Sequence, residues 1–99
     1  QTGRPVLVYF TYPGCAPCAR LQAYQERVLT RYEDFLFARV SDVGEASRRY
    51  GVHLFPWHAV RRFGRTVAVI HPRGVGTEQA YNRQVQSALA TALSQSPHR

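Results

Sequence analysis

A β-branched and aromatic run, Val6-Leu7-Val8-Tyr9-Phe10, stops at Tyr12-Pro13-Gly14 and gives way to Cys15-Ala16-Pro17-Cys18. Those are the chain's only cysteines, and the segment after them, Arg20 to Leu29, has helical spacing. A short apolar run bounded by turn residues reads as a buried strand, here Val6 to Thr11. The dithiol therefore sits where a strand hands over to a helix. Pro17 is tolerated there because a first-turn N–H has no intrahelical partner to lose. Two thiols three residues apart at such a junction can close into a disulfide and reopen. Cys15, at the helix start, meets unpaired N–H groups and the positive end of the macrodipole, which favour a thiolate. Such sites lower a thiol pKa from about 8.5 into roughly the 3.5–7.5 range. Cys18, one turn further in, is expected to face the protein body. An attacking thiol beside a shielded resolving thiol is the asymmetry that disulfide exchange requires.

The rest of the chain extends this junction into one domain. A helix over about Cys15–Arg31 places Leu21, Tyr24, Val28 and Leu29 on one face. A second strand over Phe35–Val40 completes a βαβ unit, so the two strands should be parallel. Ser41-Asp42-Val43-Gly44 reads as a turn, Glu45–Tyr50 as a short helix and Gly51 as its C-cap. Trp57–Arg61 and Thr66–Ile70 flank Arg62-Phe63-Gly64-Arg65 as an antiparallel hairpin. His71 to Gly76 is a loop. Thr77 is an N-cap candidate for a last helix to about Leu93, with Tyr81, Val85, Ala88, Leu89 and Ala92 along its inner stripe. Residues 94–99 read as a frayed tail. The order β-α-β-α-β-β-α predicts an α/β fold: a four-stranded mixed sheet with helices on both faces, one domain over 1–99.

Composition narrows the function classes. A chain of 99 residues with 44% hydrophobic content has enough for one core. No apolar run approaches the roughly 20 residues of a membrane span, and no signal peptide is recognisable. The chain begins at Gln1 and contains no Met, as expected of a mature exported protein or of a domain cut from a longer one. The net charge of +7 comes from thirteen arginines and no lysine, a bias that genome composition explains. Apart from Arg48-Arg49 and Arg61-Arg62-x-x-Arg65 the arginines are scattered, without a nucleic-acid motif. The charge therefore favours acidic partners over nucleic acid.

Taken together, VLVYF before C-A-P-C, Tyr50-Gly51-Val52 followed by Phe55-Pro56, Phe63-Gly64 at the hairpin turn and Gly74 or Gly76 before the last helix resemble the thioredoxin superfamily over nearly the whole chain. The resemblance implies a thiol–disulfide oxidoreductase in which Cys15 attacks and Cys18 resolves. It implies that Pro56 is cis and faces the dithiol, with the Phe55 backbone free to pair with an extended substrate peptide. Trp57 and Tyr12 become candidate substrate contacts, although hairpin packing accounts for the tryptophan as well. Arg39 stands where thioredoxins often carry Lys beneath the site, and with Pro17 is a candidate modulator of the thiol pKa. No cofactor is implied. The implied partners are protein disulfide or dithiol substrates and a transmembrane or soluble thiol reductant, with the chain itself a monomer.

The chain also departs from the family. Gly14 replaces the Trp that precedes the first Cys of thioredoxins, Tyr9 replaces a buried Asp, and the first strand and helix are absent. These differences point to an exported, periplasmic thioredoxin-like protein or a DsbD-like carrier domain. The Ala-Pro pair carries no basic or His side chain to stabilise a thiolate, which favours a reductant. Other readings of the two cysteines are a structural staple, weak for so short a loop, and a metal site. For the latter His53, His58, His71 and His98 are present, but there is no second CxxC. A non-enzymatic metal or interaction module, and an electron-transfer domain for one fixed partner, are the alternatives. His58 is either a proton acceptor near Cys18 or a packed strand residue.

Overall fold

A computed structural model describes residues 3–71 and 75–97. Pro72, Arg73 and Gly74 of the expected loop, and His98, lie outside the described residues. The elements run β1 (Val6–Phe10), α1 (Ala16–Val28), a 3₁₀ turn (Leu29–Arg31), β2 (Leu36–Val40), α2 (Val43–Tyr50), β3 (Trp57–Arg62), β4 (Arg65–Ile70) and α3 (Glu78–Leu93). The sheet order is β2-β1-β3-β4, with β1 parallel to β2 and antiparallel to β3. This is the predicted four-stranded mixed sheet, and the crossover through α1 is why its first pair is parallel.

Side chains alternate across β1, so one strand feeds both faces of the sheet. Leu7 joins Leu21 and Val28 of α1, Val60 and Ile70, and Tyr81, Val85 and Leu89 of α3 in the larger core. Val8 and Phe10 join Val40, Ala46 of α2, Val52 and Ala59 in the smaller one. All five residues of the predicted inner stripe of α3 are buried. On α1 the buried set is Cys18, Leu21, Gln25 and Val28, while Tyr24 and Leu29 are partly buried against the same core.

The boundaries move where local hydrogen bonding decides them. Instead of starting at Glu45, α2 begins at Val43, because the Asp42 carboxylate caps it by accepting from the Glu45 N–H at 3.1 Å. It stops at Gly51, whose φ of 68° is the left-handed C-cap conformation. The hairpin closes more tightly than expected, with Arg62 paired to Arg65 around Phe63 and Gly64. Both turn residues have positive φ, 56° and 77°, as a two-residue hairpin turn in register with strand twist requires. The Phe63 ring lies between the Arg62 and Arg65 guanidiniums, at 4.5 and 5.8 Å. Among the described residues no helix is long and apolar enough to cross a membrane.

Candidate active site

β1 ends at Phe10, and Cys15 is the N-cap of α1 with extended backbone, φ −73° and ψ 101°. Pro17 follows in the first turn, which contains no acidic residue, and no side chain caps the helix. The Cys15 sulfur thus occupies the place where a capping oxygen would otherwise meet the first-turn N–H groups. Cys15 and Cys18 are joined as a disulfide with Cα atoms 5.3 Å apart. Cys15 is 9% exposed and Cys18 2%.

An open cleft of about 510 Å³ surrounds the disulfide. Tyr12 and Gly14 form its approach, Gln22 of α1 one wall, and Arg39 and Ser41 the wall opposite. Among the described residues Arg39 is the only charged one lining it. The Tyr12 ring meets the Phe55 ring edge-on at 5.6 Å, while Phe55 and Pro56 are not among the described residues that line the cleft. The Phe55–Pro56 peptide bond is cis and Pro56 is buried.

Of the sequence candidates, Cys15, Cys18, Tyr12 and Arg39 converge on the cleft, and Phe55 reaches it through Tyr12. Trp57 does not. It stands opposite Phe10, lines a separate recess with Tyr50, Leu54 and Val69, and packs edge-on against His71 at 5.0 Å. Alternation accounts for this, since Trp57, Ala59 and Arg61 of β3 all point to the face carrying α2. Pro17 lies outside the described lining residues, in the first turn of α1.

Beneath the disulfide the structure holds a polar cluster that the sequence indicated only through His58. Tyr9 packs with both cysteines, and its hydroxyl donates to the Cys18 carbonyl at 3.4 Å. His58 pairs with Tyr9 across β1 and β3, their ring centroids 5.0 Å apart. The His58 Nε2 lies 2.9 Å from the Tyr81 hydroxyl and 3.4 Å from the Gln25 amide nitrogen. Every one of these neighbours is neutral. Burial therefore lowers the His58 pKa to about 3 and pushes that of Tyr81 up. Gln25 and Tyr81 were legible as helix positions, but only tertiary packing brings them to one histidine. Among the described residues no three His, Cys, Asp or Glu side chains converge as a metal site would need.

No protein-family model matches the sequence, and neither does any curated protein. Solved structures match by shape. Thioredoxin f from spinach chloroplast superposes with a TM-score of 0.74 at 17% identity, covering 93% of this chain and 73% of its own. Fasciola hepatica thioredoxin gives 0.69 at 22% identity, over 89% and 80%. Oxidised thioredoxin from Plasmodium falciparum gives 0.70 at 21%, over 86% and 81%.

The chain has the thioredoxin fold.

Within that fold the disulfide occupies the junction of β1 and α1, with Tyr9 below it and the Tyr12–Phe55 pair beside it.

Proposed function

We propose that the chain is a thiol–disulfide oxidoreductase that reduces protein disulfides. The observation that carries this reading is a Cys15–Cys18 disulfide at the uncapped N-terminus of α1, opening into a cleft. In the reduced protein, helix N–H groups stabilise the Cys15 thiolate. That thiolate attacks one sulfur of a substrate disulfide, forming a Cys15–substrate bond and expelling the other substrate sulfur as a thiolate. Cys18, as thiolate, then attacks the Cys15 sulfur. The Cys15–Cys18 disulfide forms, the second substrate thiolate leaves, and two electrons have passed to the substrate.

Each surrounding group has a task in this sequence. Tyr12 and Phe55, with Pro56 behind them, offer an aromatic flank for the peptide around the substrate disulfide. Tyr9 holds the Cys18 backbone, so the resolving sulfur turns toward Cys15. Arg39 supplies positive charge to the cleft as thiolates come and go. A thiol reductant restores the dithiol after each turn.

Reduction of insulin disulfides with dithiothreitol as electron donor tests the reading. Cys15→Ser should abolish turnover, and Cys18→Ser should accumulate a mixed disulfide with substrate that migrates as an adduct on a non-reducing gel. Full activity in either variant overturns the assignment.

A further inference from the structure

The two faces of the sheet are unequally covered. The face bearing Leu7 lies under α1 and α3, helices of 13 and 16 residues, whereas among the described residues the opposite face carries the eight residues of α2 and the segment after it, with Val52 and Phe55. α2 buries Ala46 against Val8 and Phe10 of β1, while Val6 and Ala38 are only partly buried against the same cluster. A groove of about 700 Å³ runs along this face from Val6 and Ala38 toward Val40, with the buried Val8 and Val40 at its base and Tyr50 and Phe63 beside it. Leu36, opposite Val6 in the β1–β2 register and 46% exposed, continues this apolar surface to the sheet edge.

Among the described residues, the charged ones lining the groove are Arg4, Arg49, Arg61 and Arg62, without a carboxylate. Their arrangement is built. The Arg49 and Arg61 guanidiniums lie over the Tyr50 ring at 5.3 and 5.5 Å. Arg62 donates to the carbonyls of Gly3 and Ala92, at 2.7 and 2.8 Å, which are neutral partners. Glu45 reaches Arg49 at 3.3 Å from α2 and offsets its charge, and Arg4 donates to the Glu33 carbonyl. An aliphatic floor under a cationic rim selects an occupant that is apolar along one stripe and acidic at its edges. A second copy would set arginine against arginine. A nucleic acid would meet the rim and leave the floor unfilled.

We infer that this groove is a docking site for an acidic amphipathic helix of a partner protein, which holds the domain while its dithiol works. The groove lies on the face bearing Val6 and Val8, whereas Tyr9 packs with the disulfide from the alternate face, and among the described residues the two sites share no lining residue, so an occupant of the groove leaves the disulfide cleft accessible. The inference stands on the groove and does not require the redox reading.

The test uses a fluorescent synthetic helix with a leucine stripe flanked by glutamates, read by anisotropy on the full chain. It should bind, while a lysine-flanked version and a scrambled version of the same composition should not. Arg49→Gln and Arg61→Gln should each weaken binding about two- to fivefold. Ala38→Glu should weaken it about tenfold or more. Leu36→Gln, at an exposed side chain where folding is not at stake, should weaken it as well. Arg83→Gln, on α3 beneath the other face, should leave it unchanged, and so should Cys15→Ser, which separates this result from failure of the proposed catalysis. Equal binding of the scrambled helix, equal sensitivity to Arg83→Gln, displacement by an oligonucleotide, a self-associated dimer that excludes the peptide, or no binding would each overturn the inference.

Discussion

Replacing His58 by glutamine should make the folded protein markedly less sensitive to acid. His58 is 1% exposed and surrounded by Tyr9, Tyr81 and Gln25, so its imidazolium finds no compensating charge and its pKa falls to about 3. Once the chain unfolds, the same ring titrates near 6.5. The unfolded state therefore binds the extra proton first. Stability is unaffected by this group above about pH 6.5, declines as pH falls through that value, and levels off only below the folded pKa. With a folded pKa of about 3, linkage puts the loss at about 2 kcal/mol at pH 5 and about 3 kcal/mol at pH 4. Against a total of roughly 5–15 kcal/mol for a small domain, that is a large fraction. Urea unfolding followed by circular dichroism at pH 7.5, 6, 5 and 4 measures it. The parent should lose about 2 kcal/mol more than His58→Gln between pH 7.5 and pH 5, whatever the variant's stability at neutral pH. Parallel pH profiles, or an NMR titration placing the folded His58 near its free value, would refute the argument.

Two further substitutions probe the supports of the site. Tyr81→Phe removes the hydroxyl 2.9 Å from His58 Nε2 and should cost about 1–3 kcal/mol in the same urea experiment at pH 7.5, because a buried ring nitrogen loses the nearer of its two partners. Gly51→Ala, at φ 68° with open space around the added Cβ, should cost about 1–2 kcal/mol through backbone strain alone. A loss near zero would mean that the α2 C-cap relaxes.

The sequence was most legible where local chemistry and tertiary structure agree. The strand before the cysteines, the parallel crossover, the hairpin and the five buried positions of α3 all follow from periodicity and turn residues. The start of α2 was misplaced because Val43-Gly44 reads as a turn until the Asp42 cap is seen to recruit it. Trp57 is a candidate contact by family resemblance alone, whereas strand alternation turns it to the opposite face. Gln25 illustrates the larger gap: a polar residue on a core-facing helix position signals a buried partner without saying which one. Its partner lies 33 residues away, a separation that no local pattern encodes.

The central strand has a further consequence for how the molecule comes apart. Leu7 anchors one core, Val8 and Phe10 the other, and Tyr9 the disulfide floor. Four consecutive residues thereby tie every cooperative unit together, leaving no half of the protein able to melt on its own. Amide protons of this segment should be the slowest to exchange with deuterium, opening only when the whole molecule does.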